Sequence, residues 1–281
     1  MELANESLQY AIYRTTLSET QVALFAAGVV FGLRDMHAKG VLHCDLKPPN
    51  VLVVPVDGID LFVAKIADLG SACCVAKSFD CSSWNLPSCA EARAGTPRYW
   101  APEKDNPATN TFATDVFSAG LMVYEMLSAN NGPDARTVSE LVADVSDLYA
   151  DAEEKGVWQE LNMSIAIPYA AIEEPLRELL HCTLEPDPEV RCDIGRAALL
   201  AERERMGRLF QAGDKEYQNG MRLARNGEVR AQCQEHGEKM RRIFGMINAL
   251  NICAHKLNRP DLMIPPPEGF VNYTREQYEG I

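Results

Sequence analysis

The sequence predicts a mostly helical α+β fold, and three observations carry that prediction. Residues 18–39 place Val22, Phe25, Val29, Leu33 and Met36 at steps of three and four, which builds one apolar helix face. Residues 113–129, ATDVFSAGLMVYEMLSA, are apolar nearly all round, the pattern of a helix buried on every side. Strand signals are brief by comparison: Val41-Leu42, Val51 to Val54 and Leu61 to Ala67 are short β-branched runs around polar segments.

The first helix has its own punctuation. Ser18 with Gln21 three residues later reads as a capping box, and Gly40 is a good stop. Asp57-Gly58 is a turn signal between the second and third strands. Residues 68–103 form a long irregular stretch rich in Ser, Cys, Ala and Pro, and a loop of that length in a compact domain usually carries function. Further helices are expected near 138–155, 173–184 and from 194 to about 210. Residues 214–239 are charged and interrupted by Gly220, Gly227 and Gly237; Met240, Ile243, Phe244, Ile247 and Leu250 then restore a helical stripe. Pro260 and the Pro265 to Pro267 run end regular structure. The expected organisation is a domain over 1–210 and a helical C-terminal extension over 211–281 with a Pro-rich tail.

Bulk properties exclude several classes. The 281 residues are 47% hydrophobic, ample for a core, and the formal net charge of −13 argues against sequence-independent nucleic-acid binding. MELANESLQY has no basic start followed by an apolar run, so it is not a secretory signal. The longest near-apolar stretch, Val22 to Leu33, is too short to span a bilayer, so no membrane insertion is expected. Nine cysteines, an odd number spread through the chain, read as reduced thiols rather than a disulfide framework, which points to an intracellular, cytoplasmic protein. Cys73, Cys74, Cys81 and Cys89 cluster in the irregular stretch but lack the paired C-x-x-C spacing of a zinc site.

The chemistry-bearing residues lie around that stretch. In His43-Cys44-Asp45-Leu46-Lys47-Pro48-Pro49-Asn50, an Asp, a Lys two later and an Asn five later share one loop between strands. Phosphoryl transfer needs positioned charge of this kind: a carboxylate near the attacking hydroxyl, a cation on the moving group and oxygen ligands for magnesium. Asp68-Leu69-Gly70 follows a strand directly, and a carboxylate at a strand end beside Gly is well placed to hold a hard cation. Gly95-Thr96-Pro97-Arg98-Tyr99-Trp100-Ala101-Pro102-Glu103 comes next, then Asp115 opening the buried helix and Arg191 after Pro186-Asp187-Pro188-Glu189-Val190.

In order and spacing these segments resemble the eukaryotic-type serine/threonine protein kinase family, over roughly residues 1–210. HCDLKPPN resembles the catalytic loop, DLG the magnesium-binding motif, GTPRYWAPE the end of the activation segment and DVFSAG the start of the central helix. The resemblance implies the family's large lobe, with ATP and Mg2+ as cofactors and a protein Ser or Thr hydroxyl as acceptor. It implies that Asp45 accepts or orients the substrate proton, Lys47 steadies the γ-phosphoryl, and Thr96 braces both. Asn50 and Asp68 would ligate magnesium, Leu52 would pack beneath the adenine ring, and backbone groups of Glu2 and Ala4 would meet adenine. Glu103 would pair with Arg191, and Asp115 would hold the catalytic-loop backbone. Leu52 also reads as ordinary strand core, and Asp45 and Asp68 also read as relics in a non-catalytic relative, a pseudokinase-like interaction module.

The pattern departs from the family in three places. MELANESLQ resembles the hinge, so the small β-rich lobe, its Gly-rich loop and its phosphate-binding Lys are expected to be missing. Little or no autonomous kinase activity is therefore expected, whether the chain is a fragment, a natural binding module or a lobe completed by a partner. Cys44 stands where many kinases carry Arg, so activation through a phosphate answered by that residue is not expected. Leu69 replaces the usual aromatic, and His43 reads as a packing residue. The C-terminal helices over 211–281 leave room for a further partner.

Overall fold

The computed structural model describes residues 6–55, 62–75, 86–89, 95–104, 110–129, 140, 143 and 174–225. Two compact units divide the chain, Met1–Arg208 and Leu209–Ile281. The expected helix at 138–155 (save Glu140 and Ala143, both helical), the Asp57-Gly58 turn, the 240–250 stripe and the Pro-rich tail lie outside the described residues.

The first unit starts with β1 (Glu6–Ser7) and α1 (Leu8–Arg14), a helix the sequence patterning missed. Seven residues are too few to show a period, but Ser7 caps them by accepting from the Tyr10 N–H at 3.3 Å. The long helix α2 (Glu19–His37) carries the expected capping box: Gln21 N–H donates to Ser18 Oγ at 3.2 Å and Ser18 N–H to Gln21 Oε1 at 2.9 Å. After β2 (Val41–Leu42) come β3 (Val51–Pro55) and β4 (Phe62–Ile66), close to the expected runs. One antiparallel sheet has the order β1-β3-β4, with Leu52 facing Ser7 and Lys65; a second pairs β2 with β5 (Cys73–Cys74), so the expected irregular stretch contains a strand.

Helix α3 (Phe112–Ser128) is buried continuously from Thr114 to Met126, as an all-round apolar sequence requires. It packs with α2 and with α4 (Glu174–Thr183), and Phe25, Leu33, Phe117, Leu121 and Met122 form the fully buried centre. The last described helix, α5 (Ile194–Arg225), runs well past the expected end near 210. Gly28 sets how near α2 lies to β4: a Cβ there would sit 2.3 Å from the Ala64 carbonyl oxygen.

Two buried charges fix what these elements carry. Asp115, at the first turn of α3, accepts from the backbone N–H groups of His43 (2.8 Å) and Cys44 (3.0 Å) and from His37 Nε2 (3.1 Å). Burial by itself would raise its pKa, but the bond from His37 and the backbone N–H of His43 hold it below the ordinary carboxylate range. Arg191 spends all five guanidinium protons. Nε donates to the Glu185 carbonyl (2.7 Å), and Nη1 and Nη2 donate to Glu103 and to the carbonyls of Ala113 and Pro186.

Contrary to the expectation of reduced thiols, disulfides join Cys73 to Cys89 and Cys182 to Cys192. The cause is tertiary. Cys74 exchanges backbone bonds with Pro87 and Cys89, and Cys192 N–H donates to the Cys182 carbonyl, so the Cα atoms lie only 4.9 and 5.3 Å apart. Among the described residues no cluster of His, Cys, Asp and Glu could hold a metal ion, and no helix is long and apolar enough to cross a membrane.

Four stability outcomes follow from this packing, each read from urea midpoints. Gly28→Ala should cost about 1–3 kcal/mol by pushing α2 off β4. Gly207→Ala, whose Cβ would meet nothing within 4 Å, should gain up to about 1 kcal/mol. Arg191→Lys should approach the roughly 3–5 kcal/mol cost of Arg191→Ala, because three donors cannot replace five around a buried carboxylate. Asp115→Asn should cost about 2–3 kcal/mol at neutral pH. The depressed folded pKa of Asp115 makes its contribution complete above the unfolded value of about 4 and lost as pH falls through the lower folded value. The gap between wild type and Asp115→Asn should therefore narrow on acidification below pH ~4.

Candidate active site

The loop from His43 to Asn50 is held at both ends. Asp115 fixes its start through two N–H groups. At its end a turn over Pro48–Asn50 feeds β3, and the Asn50 carbonyl accepts from Ala67 N–H at 2.9 Å. His43 is fully buried and structural: Nε2 donates to the Ala67 carbonyl (3.1 Å) and Nδ1 accepts from Asp45 N–H (3.3 Å). Those bonds place the β4 end, and Asp68 just after it, against the loop that carries Asp45 and Asn50.

Within the loop, Asp45, Lys47 and Thr96 close a ring. Lys47 Nζ lies 2.7 Å from Asp45 Oδ2 and donates to Thr96 Oγ1 at 2.8 Å, and Thr96 donates in turn to Asp45 Oδ1 at 2.7 Å. Asn50 Nδ2 donates to the Asp45 carbonyl (2.9 Å) and to Oδ2 (3.2 Å). Burial pushes the Asp45 pKa up, but the bonds from Lys47 and Thr96 outweigh it and hold the carboxyl below its ordinary value. Asp45 is an ionised, fully oriented acceptor at neutral pH.

Asp68 takes a left-handed backbone (φ 58°), and its Oδ1 accepts from Gly70 N–H at 3.2 Å. The carboxylate is exposed at the end of β4. Asn50 spends its amide hydrogens on Asp45, which leaves Oδ1 as the atom with lone pairs to offer. An amide oxygen and an exposed carboxylate are oxygen donors of the hard kind that magnesium prefers. Leu52 is half-buried in β3; Glu2 and Ala4 lie outside the described residues.

Three neighbours of the site went unread in the sequence. His37 reaches Asp115 across 78 positions. Lys104 is buried beside the loop, its Nζ 3.5 Å from the Cys44 carbonyl, and burial holds its ammonium below the usual lysine range against the charges of Asp115 and Asp45. Glu125 gathers Tyr99 (2.7 Å), Tyr13 (3.2 Å) and Arg98 (3.2 Å), and burial together with Glu125 raises the Tyr99 pKa. No local signal announces such contacts. The only hint was an ionisable residue inside an apolar run, as at Glu125.

Residues 1–199 match the family model described as "Protein kinase domain". Myosin light chain kinase family member 4 of Mus musculus is 32% identical over 131 residues, 45% of this chain and 31% of that protein. Mitogen-activated protein kinase kinase kinase 20 of Arabidopsis thaliana is 39% identical over 112 residues, 40% of this chain and 30% of that protein. The inactive serine/threonine-protein kinase PLK5 of Mus musculus is 28% identical over 145 residues, 51% of this chain and 22% of that protein. The aligned stretches thus span under a third of each of these relatives. With the family match covering most of its length, and with Asp45, Lys47 and Thr96 closed into one ring in the matching loops, this chain belongs to the protein kinase family, of the eukaryotic serine/threonine type.

Proposed function

We propose that this chain carries the acceptor side of ATP- and Mg2+-dependent phosphoryl transfer to Ser or Thr hydroxyls of a protein substrate. The observation that supports it most is the ring of Asp45, Lys47 and Thr96, with Asn50 bonded to the same carboxylate. ATP supplies the transferable phosphoryl group, and magnesium neutralises the charge on it. In this reading Asn50 and Asp68 hold the metal, and Leu52 forms the floor under the base.

The remaining roles belong to charges held in place. Asp45 receives the substrate hydroxyl as a hydrogen-bond donor and aims its oxygen. Because its pKa is depressed, Asp45 is a weak base, so its contribution is orientation, with the proton accepted late in the reaction. Lys47 sits between Asp45 and Thr96 and offers a cation to the transferred group. Thr96 keeps both from drifting, and orientation of this kind is where most of the acceleration of phosphoryl transfer arises.

A second reading, the non-catalytic interaction module, draws support from the relative named as inactive. Nucleotide binding separates the two. At a hundredfold excess over its Kd, MgATP should stabilise the chain by about 2.7 kcal/mol, or about 5–10 °C in Tm. The shift should need magnesium, vanish in Asp68→Ala and Asn50→Ala, and persist in Asp45→Asn. Transfer of radiolabelled phosphate to a Ser/Thr peptide pool by this chain alone should be little or none, and whatever transfer is detected should be lost in Asp45→Asn. A chain with no magnesium-dependent shift belongs to the second reading.

A further inference from the structure

Three sulfur atoms meet beside the candidate site. Cys44, the residue before Asp45, is the one free thiol among the described cysteines and is buried. Its Sγ lies 3.2 Å from Cys73 Sγ, and Cys73 is bonded to Cys89. All three are packed together in a small cluster with Leu42, against which Phe112 rests. The Cys44 backbone is pinned by Asp115 at a φ of 66°, which aims its side chain from a left-handed residue.

We propose that Cys44, Cys73 and Cys89 form an internal thiol–disulfide exchange site in which Cys73 pairs with either Cys89 or Cys44. In the exchange, Cys44 loses its proton to solvent and its sulfur forms a bond to Cys73 Sγ. The Cys73–Cys89 bond breaks, its electron pair leaves on Cys89 Sγ, and that sulfur takes up a proton. One disulfide is consumed and one is formed, so no oxidant or reductant enters. Cys73 holds one bond at a time, which makes the two pairings exclusive.

The two states differ in what they tether. Cys73–Cys89 fastens β5 to the segment over 86–89, where Cys89 N–H also donates to the Cys74 carbonyl. Cys44–Cys73 would instead fasten β5 to the loop carrying Asp45 and release Cys89. Because β5 follows the Leu69–Ser71 turn, that bond would also couple the Asp45 loop to the segment that begins at Asp68.

Burial, together with the charges of Asp115 and Asp45 and against that of Lys104, pushes the Cys44 thiol up to about 12. The attacking thiolate is therefore scarce at neutral pH, and exchange should be slow there and faster in alkali. The site is independent of whether the chain transfers phosphate, so its test reads bonds rather than activity.

The test is a non-reducing digest with mass mapping on the full chain, trapped by acid and alkylation. In Cys89→Ser, reduced and then treated with diamide, which accepts two electrons and two protons, the expected product links Cys44 to Cys73. In the wild type held without oxidant from pH 7 to 9, a Cys44–Cys73 peptide should appear with an initial rate rising about tenfold per pH unit. If Cys89→Ser does not fold, the wild-type series decides alone. Cys44 recovered only as the alkylated thiol across that series, or Cys73 joined to any cysteine other than Cys44 and Cys89, overturns the proposal.

Discussion

The carboxylate of Asp115 is the point on which the site geometry turns. It sits in the first turn of α3, buried from Thr114 to Met126, and satisfies two successive backbone N–H groups, those of His43 and Cys44. Cys44 can hold a φ of 66° only because something else fixes it there, since a non-glycine residue in that region costs about 1–2 kcal/mol. Asp68 repeats the arrangement on the facing loop, where a φ of 58° coincides with its own carboxylate accepting from Gly70 N–H. Two left-handed residues, each with a carboxylate bonded to nearby N–H groups, set the chain direction just before Asp45 and at Asp68.

Much of this frame was legible from residues alone. The Ser18–Gln21 box and the apolar period of α2 are local rules written in the sequence, and so is the unbroken burial of α3. The loop segments were legible because four of them, in order and spacing, resemble the motifs of the protein kinase family, where one Asp-x-Lys pair alone would be a weak signal. What was not legible is tertiary. His37 and Asp115 are 78 residues apart, and Tyr13 and Glu125 are 112 apart, so no window of sequence contains either pair. The short helix α1 lacks the length for a period, and its cap at Ser7 is visible only once the chain is folded. Cysteine count suggested free thiols because parity and spread carry no distance; the disulfides depend on backbone contacts made by β5 and by the end of α4.

Asp115 and Arg191 solve the same problem differently. Each is a charge with essentially no exposure, and each is tolerable only because every polar atom it brings inside finds a partner. Asp115 collects donors from one loop and thereby sets backbone direction. Arg191 distributes five donors over Glu103 and three carbonyls, joining the end of the GTPRYWAPE segment to the start of α3 and to the turn after α4. Its guanidinium also lies 4.9 Å from the Phe117 ring, in the helix that carries Asp115. The loop that carries Asp45 and the far end of the long irregular stretch are therefore referred to a single element, α3. That is why the ring of Asp45, Lys47 and Thr96 can close although its members come from segments 49 to 51 positions apart.

The stoichiometry of that ring limits how an acceptor hydroxyl is received under the proposed function. An ionised carboxylate offers about four lone-pair positions. Lys47 and Asn50 occupy Oδ2 of Asp45, and Thr96 occupies one position on Oδ1. The position that remains lies on Oδ1, so a substrate hydroxyl and Thr96 would share that oxygen. Proton transfer to Oδ1 late in the reaction would weaken the attraction that keeps Lys47 at 2.7 Å from the carboxylate. The lysine charge would then be freest to act on the moving phosphoryl group at the moment negative charge leaves Asp45. A pKa held low by Lys47 and Thr96 makes Asp45 a poor base in the resting site, and under the proposed function the same contacts would make its protonation the event that redirects Lys47.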